Sequence, residues 1–170
     1  AIEQLAARHK FIDINRVGIH GHSGGGFMST AAILQYPDFF KAAVSCAGNH
    51  DNKIYNRWWS ETHHGVKEQV SDKGDTTFVY KISSNPEIAK QLKGHLLLVH
   101  GEIDNNVHPG NTSRVVNALI RANKRFDMLY LPTQRHGFGD MNEYFYWRLV
   151  DHFTDYLIDG RTKQVDIPQR

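Results

Sequence analysis

Four short apolar runs alternate along the chain with segments of helical periodicity. They are Val17 to His20, Ala42 to Cys46, Leu96 to Val99 and Phe126 to Leu131. The third run is continuously apolar, as expected for a strand that is covered on both faces. Strands that alternate with helices predict βα units and a parallel sheet, and therefore an α/β fold.

Helical periodicity predicts a helix behind three of these strands. The first runs from about Gly25 to Tyr36. The second has apolar residues at helical spacing from Val115 to Ile120, and Asn111 or Thr112 is its predicted N-cap. The last carries an aromatic or leucine at every fourth position from Phe145 to Phe153, which gives it one core-facing side.

The pattern breaks down between Gly48 and Gly94. This segment is aromatic at first and then polar and charged from Glu68 to Thr77, and it predicts only a short helix near Glu87 to Leu92. Long connections inside compact domains often carry function. Ile2 to His9 has the pattern of the latter part of an amphipathic helix, so we expect the chain to begin inside a larger protein.

Composition narrows the function classes. A chain of 170 residues fits one domain, which we place at residues 1–158 with a frayed tail at 159–170. The net charge of +2 comes from 20 basic and 18 acidic residues without a basic run, so nucleic acid is not an expected partner. No apolar stretch approaches the roughly 20 residues that span a bilayer. The single cysteine, Cys46, lies in an apolar run and is expected to be a small buried side chain.

A nucleophile motif follows the first predicted strand. Gly21-His22-Ser23-Gly24-Gly25 matches G-x-S-x-G between a strand and a helix. A serine aimed off a strand end needs a tight turn, in which side chains two residues to either side are expected to clash. The Gly24 N–H at the start of the helix is the predicted oxyanion-hole donor. The glycine spacings of Rossmann and P-loop motifs are absent from the sequence.

A candidate acid and base follow the third and fourth strands, in the chain order of α/β-hydrolases. Asp104 comes just after Leu96 to Val99, and His136 just after Phe126 to Leu131. Loops at the carboxyl ends of parallel strands line one edge of the sheet. We therefore predict a Ser23–Asp104–His136 triad in which His136 takes the serine proton and Asp104 orients the imidazole.

Eleven histidines also invite a metal interpretation. The obvious clusters are His20 with His22 and His63 with His64. Neither cluster is joined by a second set of ligands at zinc-site spacing, so we predict no metal site and no cofactor.

On these motifs the chain resembles the catalytic domain of the prolyl oligopeptidase family of serine peptidases, and within it the dipeptidyl peptidase IV-like branch. The resemblance runs from about Ile12 to Phe153. It is most specific at residues 21–26, at His100-Gly101-Glu102-Ile103-Asp104-Asn105-Asn106-Val107-His108 and at His136-Gly137, and extends to the aromatic segment Tyr55 to Glu61. It implies a three-layer α/β-hydrolase fold of which this chain holds the C-terminal half, with about four parallel strands and flanking helices.

The resemblance also implies substrate contacts. Tyr55 and Trp59 match aromatic walls of the S1 pocket, Val107 matches an apolar wall, and Asn106 matches an asparagine that holds the P2 carbonyl. Such a pocket suits proline or alanine in a peptide substrate that loses an N-terminal dipeptide. For a bacterial chain, the resemblance to this branch favours a periplasmic or otherwise exported location.

The chain departs from the family pattern in two ways. Gly24 replaces the tyrosine that follows the nucleophile in dipeptidyl peptidase IV, and Asn49 and Asn52 stand where apolar pocket residues are expected. The family's second oxyanion donor, its upstream half-domain and its β-propeller lie before the region of resemblance. We therefore expect residues 1–170 alone to be a poor peptidase, and the Val17 strand to be an open edge on which a homodimer could form.

Two alternatives remain at this point. The same triad would serve an acylaminoacyl peptidase or a carboxylesterase. In a different class of function, the domain would be a non-catalytic binding or scaffold unit whose triad is not used.

Overall fold

A computed structural model describes residues 1–158. In chain order, the helices and strands are α1 (Ile2–Arg8), β1 (Val17–His22), α2 (Gly24–Gln35), β2 (Phe40–Cys46), α3 (Arg57–His64), β3 (Val66–Val70), β4 (Thr76–Tyr80), α4 (Asn85–Ile88), β5 (His95–Gly101), α5 (Gly110–Arg121), β6 (Asp127–Leu131) and α6 (Asn142–Leu157). Short 3₁₀ helices cover residues 52–54, 89–91 and 139–141.

Four of the strands form one parallel sheet. Their order is β1-β2-β5-β6, and each neighbouring pair runs parallel. All four carboxyl ends therefore meet at one rim. Within residues 1–158, β1 lies at one edge of this sheet, as the resemblance implied.

The core has two halves, one on each face of this sheet. Because side chains alternate along a strand, Leu96 and Leu98 pack with α2 and α5, while Leu97 and Val99 pack toward α6. Phe145 on α6 belongs to the second half. The result is a three-layer arrangement with helices on both faces of a parallel sheet, which confirms the predicted α/β fold.

The beginning of α5 corrects one prediction. The helix begins at Gly110 with Pro109 as its N-cap, not at Asn111 or Thr112. Both predicted caps lie inside the first turn, where their side chains have other partners. Asn111 Oδ1 accepts the backbone N–H of Asp51, and Thr112 Oγ1 lies 2.7 Å from His100 Nδ1.

The segment between β2 and β5 contains structure that the periodicity did not reveal. The region predicted to be polar and irregular forms a β3–β4 antiparallel hairpin with Val66 opposite Tyr80. Its turn places Gly74 at φ 82°, and the N–H of Gly74 donates to the carbonyl of Ser71. The short helix predicted near Glu87 begins two residues earlier, at Asn85, and continues as the 3₁₀ turn at 89–91.

Two further expectations concern single features. Cys46 is buried, as predicted, and this burial raises the pKa of its thiol to about 12. The predicted frayed tail at 159–170 lies outside the described residues. Among the helices within residues 1–158, none has the length and hydropathy needed to cross a membrane.

Candidate active site

Ser23 occupies a strained turn between β1 and α2. Its backbone has φ 59° and ψ −120°. Residues other than glycine rarely adopt a positive φ, and this conformation costs about 1–3 kcal/mol. Neighbouring backbone holds it there: Ser23 N–H donates to the carbonyl of Cys46 at 2.8 Å, and Phe27 N–H donates to the Ser23 carbonyl at 3.0 Å. Ser23 therefore projects from the carboxyl end of β1, where α2 begins.

Glycines make this turn possible, but only one of the two expected clashes is found. A Cβ at Gly21 would collide with the backbone of Gly25. A Cβ at Gly25 would meet nothing within 4 Å, so the expectation of a clash there was wrong. The second constrained position is Gly26, where a Cβ would collide with the carbonyl of Cys46. The turn thus needs glycine at 21 and 26 for close backbone approach.

This difference gives a paired prediction. Gly21→Ala should lower the free energy of unfolding by about 1–3 kcal/mol, because the backbone at Gly25 must move to admit the methyl group. Gly25→Ala should be neutral or slightly stabilising, because alanine is the better helix former and its methyl group meets no neighbour. Denaturant unfolding of both variants measures the difference, and equal destabilisation would contradict the proposed packing.

Asp104 lies in the loop after β5 and is buried. Its Oδ1 accepts the backbone N–H groups of Asn106 and Val107, both at 2.9 Å. Its Oδ2 lies 2.7 Å from Nδ1 of His136. The side chain has 0% exposed surface, so these protein donors take the place of water around the carboxylate.

His136 reaches Asp104 because two loops approach closely at Gly101. A Cβ at Gly101 would lie 2.5 Å from the carbonyl oxygens of both Gln134 and Arg135. The Ile103 N–H donates to the Gln134 carbonyl at 3.0 Å, which ties the two loops together. The glycine of the His100-Gly101 pair is therefore what lets the β6 loop lie against the β5 loop.

Hydrogen bonding sets the charge of Asp104. Burial alone acts to raise the pKa of this carboxyl group. The hydrogen bond to His136 and the two backbone N–H donors outweigh burial, so the pKa of Asp104 lies below its ordinary value. Asp104 is therefore ionised at neutral pH and accepts the Nδ1–H of His136, a contact that directs Nε2 of the ring away from the carboxylate.

Ser23 and His136 lie on the same rim, and His22 connects them. His22 Nε2 lies 2.6 Å from the backbone oxygen of His136, to which it donates. The rings of His22 and His136 pack edge to face with centroids 4.6 Å apart. Within residues 1–158 no hydrogen bond joins Ser23 Oγ to His136 in this conformation.

Three of the predicted pocket residues form a chain of contacts that ends over Gly24, the residue after the serine. The rings of Tyr55 and Trp59 pack edge to face at 5.6 Å. Tyr55 Oη donates to Asn106 Oδ1 at 3.3 Å. A Cβ at Gly24 would lie 3.4 Å from the Trp59 ring, so Trp59 lies directly over the first residue of α2. Val107, by contrast, has 0% exposed surface and lies beneath the loop.

A buried polar network occupies the positions where apolar pocket residues were expected. Asn49 Nδ2 donates to Asn52 Oδ1 at 2.8 Å, and Asn52 Nδ2 donates to the His64 ring. The Ser60 hydroxyl donates to Asn52 Oδ1 at 3.2 Å. These contacts hold α3 and its aromatic residues against the 3₁₀ helix at residues 52–54. The buried amide groups of the two asparagines therefore have hydrogen-bond partners in each other and in the neighbouring side chains.

Sequence reasoning missed His22 and His100 as parts of the site. Both flank glycines of the motifs already described, and both contact the loops that carry Asp104 and His136. Their position next to a motif glycine was the available signal. Across residues 1–158 we find no group of three or more His, Cys, Asp or Glu side chains that could hold a metal ion.

Known proteins resemble this chain over most of its length. A family model described as the prolyl oligopeptidase family matches residues 1–159. Human dipeptidyl peptidase 8 is 35% identical over 135 residues, which are 79% of this chain and 15% of that protein. Human prolyl endopeptidase FAP is 28% identical over 157 residues, which are 89% of this chain and 20% of that protein.

A solved structure shows the same fold. The dipeptidyl peptidase 4 of Porphyromonas gingivalis superposes with a TM-score of 0.76 at 31% identity, covering 91% of this chain and 21% of that chain. The chain thus spans about a fifth or less of the length of the relatives it matches.

Proposed function

Because the chain belongs to the prolyl oligopeptidase family of serine peptidases, we propose that it carries the triad Ser23, Asp104 and His136 and that the protein removes N-terminal dipeptides. The observation that carries the proposal is the 2.7 Å contact between Asp104 Oδ2 and His136 Nδ1. This contact lies on the rim where Ser23 occupies its strained turn.

The proposed mechanism follows from the arrangement. Nε2 of His136 accepts the Ser23 proton as the serine oxygen attacks the peptide carbonyl, and Asp104 stabilises the resulting imidazolium. The Gly24 N–H donates to the developing oxyanion. His136 then returns the proton to the leaving amine, and water hydrolyses the acyl-enzyme by the same path. No cofactor is needed for this chemistry.

The proposed substrate is a peptide with a small apolar residue at P1, proline or alanine. Tyr55 and Trp59 form an edge-to-face aromatic pair beside Gly24, a surface on which a proline ring can stack. Asn106 is exposed next to Tyr55, where its amide can bond the P2 carbonyl. Val107 would support this wall from beneath.

The substrate proposal is tested by assaying the protein at its full natural length. We expect Xaa-Pro-anilides and Xaa-Ala-anilides to be cleaved faster than acylated peptides or short esters. Preference for acylated peptides or esters would replace the dipeptidyl assignment by an acylaminoacyl peptidase or carboxylesterase. If an activated-serine probe labels nothing in that protein, the non-catalytic alternative is correct.

Residues 1–170 alone should cleave the same anilide substrates slowly. We expect a second oxyanion donor and the groups that bind the substrate amino terminus to lie in the upstream half-domain and β-propeller that the resemblance implies. Loss of one oxyanion donor costs about 10²- to 10³-fold in kcat. A rate for residues 1–170 that matches the full-length protein would contradict this placement.

We also propose that residues 1–170 self-associate through β1. Its outer edge has no strand partner among residues 1–158, and such an edge readily pairs with another chain. Sedimentation velocity should show a dimer whose fraction rises with concentration. His20→Lys adds a charge at an exposed position of this edge and should shift the chain to monomer. A monomer at all concentrations would contradict the proposal.

A further inference from the structure

His100 lies next to the Asp104 loop and has 0% exposed surface. Its Nε2 lies 2.8 Å from the carbonyl oxygen of Val107 and 3.3 Å from Oδ2 of Asp104. Its Nδ1 lies 2.7 Å from the Thr112 hydroxyl on the first turn of α5. The imidazole thus bridges three elements: β5, the Asp104 loop and α5.

These contacts fix the tautomer of His100. A carbonyl oxygen only accepts, so Nε2 must carry the proton that points to Val107. Burial, the largest influence, lowers the pKa of His100, and the ring is neutral near pH 7. A neutral imidazole has one N–H, so Nδ1 accepts the hydrogen of Thr112. The Val107 carbonyl therefore selects the Nε2–H form, and the Thr112 hydroxyl donates to the unprotonated Nδ1.

The bond to Val107 has a consequence for Asp104. The N–H groups of Asn106 and Val107 both donate to Asp104 Oδ1, so the orientation of this short loop determines how the carboxylate is held. His100 anchors the far end of that loop through the Val107 carbonyl. Its N–H edge also faces the same oxygen, Oδ2, that accepts from His136.

We propose that His100 is a positioning residue: the neutral, Nε2-protonated imidazole holds the loop of residues 104–107 so that Asp104 orients His136 while Asn106 lies at the edge of the substrate pocket. This inference deepens the proposed function, and only its catalytic consequence rests on that function. Within residues 1–158, the titratable groups that face His100 are Asp104 on the loop after β5, His136 on the loop after β6 and His50 after β2.

The first test reads the tautomer without using activity. In ¹⁵N-histidine-labelled protein, two-bond ¹H–¹⁵N correlations should show His100 neutral and protonated on Nε2, and a hydrogen-bonded Nδ1–H on His136. Thr112→Val removes the donor to Nδ1 and should shift the ¹⁵N resonance of Nδ1 while the proton stays on Nε2, whereas Thr112→Ser should leave both as in the wild type. A wild-type His100 protonated on Nδ1 would overturn the proposal.

The second test separates positioning from packing. Gln places an amide N–H where His has Nε2–H, whereas Leu fills similar space without a donor. His100→Leu should broaden or remove the Nδ1–H signal of His136 and slow fluorophosphonate labelling of Ser23 by about 10- to 100-fold, as small displacements of reacting groups do. His100→Gln should retain the signal and recover most of the labelling rate.

Three outcomes are decisive. A folded His100→Leu protein with the wild-type His136 signal and labelling rate would overturn the proposal. If that variant does not fold, a folded His100→Gln protein that lacks the Nδ1–H signal of His136 would also overturn it, because an N–H donor facing the Val107 carbonyl would then not hold the loop. If even the wild type is not labelled, the peptidase proposal fails, and the tautomer and the Nδ1–H signal still decide the role of His100.

Discussion

Replacement of Ser23 by alanine is expected to abolish covalent labelling by a fluorophosphonate and to lower peptidase kcat by about 10⁴-fold or more. The variant keeps the fold, because the contacts that hold the turn are made by backbone atoms of Ser23. What is lost is the only group in the proposed mechanism that forms the acyl-enzyme. Mass spectrometry of the intact protein before and after the probe measures this directly.

Ser113→Ala is the matched control. Ser113 is exposed on α5, and its hydroxyl bonds only the backbone carbonyl of Pro109, so its removal should leave labelling unchanged. Labelling that persists in Ser23→Ala would show that another nucleophile reacts. Equal loss in both variants would mean that the probe reports folding rather than an activated serine.

Asp104→Asn should have the second largest effect, a loss of about 10⁴-fold in kcat, the magnitude known for the equivalent change in other triads. Two backbone N–H groups hold Oδ1, so the amide oxygen must occupy that position and the amide NH₂ must face His136. Nδ1 of His136 then becomes the acceptor and Nε2 carries the proton. Nε2 can no longer take the proton of Ser23.

Asp140→Asn provides the charge-matched control for this variant. Asp140 is exposed in the 3₁₀ turn after His136, so the change removes one negative charge from the same region without altering the Asp104 contacts. It should leave kcat within a few-fold of the wild type. A comparable loss in both variants would point to the local electrostatic field rather than to the tautomer of His136.

The Asp104→Asn substitution should also change the free energy of unfolding in a pH-dependent way. The pKa of Asp104 is lower in the folded chain than its ordinary value, so the ionised carboxylate stabilises the fold above that ordinary value. This contribution is lost as pH falls through the lowered pKa. The difference in unfolding free energy between wild type and Asp104→Asn should therefore be large near pH 7 and shrink in acid, where both side chains are neutral.

Much of this site could be predicted because topology determines its placement. Ser23, Asp104 and His136 each follow a strand of one parallel sheet, so the direction of the chain alone delivers them to one rim. The strands themselves were visible because Leu96 to Val99 is apolar on both faces of the sheet. Neither inference needed the details of side-chain packing.

Other features depend on contacts that no local pattern reveals. Asn111 and Thr112 have the residue types of helix caps, yet their side chains bond to Asp51 and His100 and the helix begins at Gly110. Hydrogen bonds to residues distant in the sequence, rather than capping of the helix, therefore determine the positions of these two side chains. His100 looked like an ordinary strand residue because its two nitrogens find partners 7 and 12 positions away.

The β3–β4 hairpin was missed for a different reason. All five residues of β3 are exposed, so no buried face imposes the apolar alternation by which strands are recognised. The available signal was the Gly74 turn between β-branched residues, Val66 and Val70 before it and Thr76 and Thr77 after it. A hairpin that buries so little is defined by its turn rather than by its hydrophobicity.

The strained backbone at Ser23 has a consequence for the newly made chain. Its left-handed angles persist only while the Ser23 N–H is bonded to Cys46 and α2 is docked behind it. Before β1 and β2 have paired, nothing prevents Ser23 from relaxing to an ordinary extended conformation. The proposed nucleophilic reactivity of Ser23 would therefore arise only together with tertiary structure.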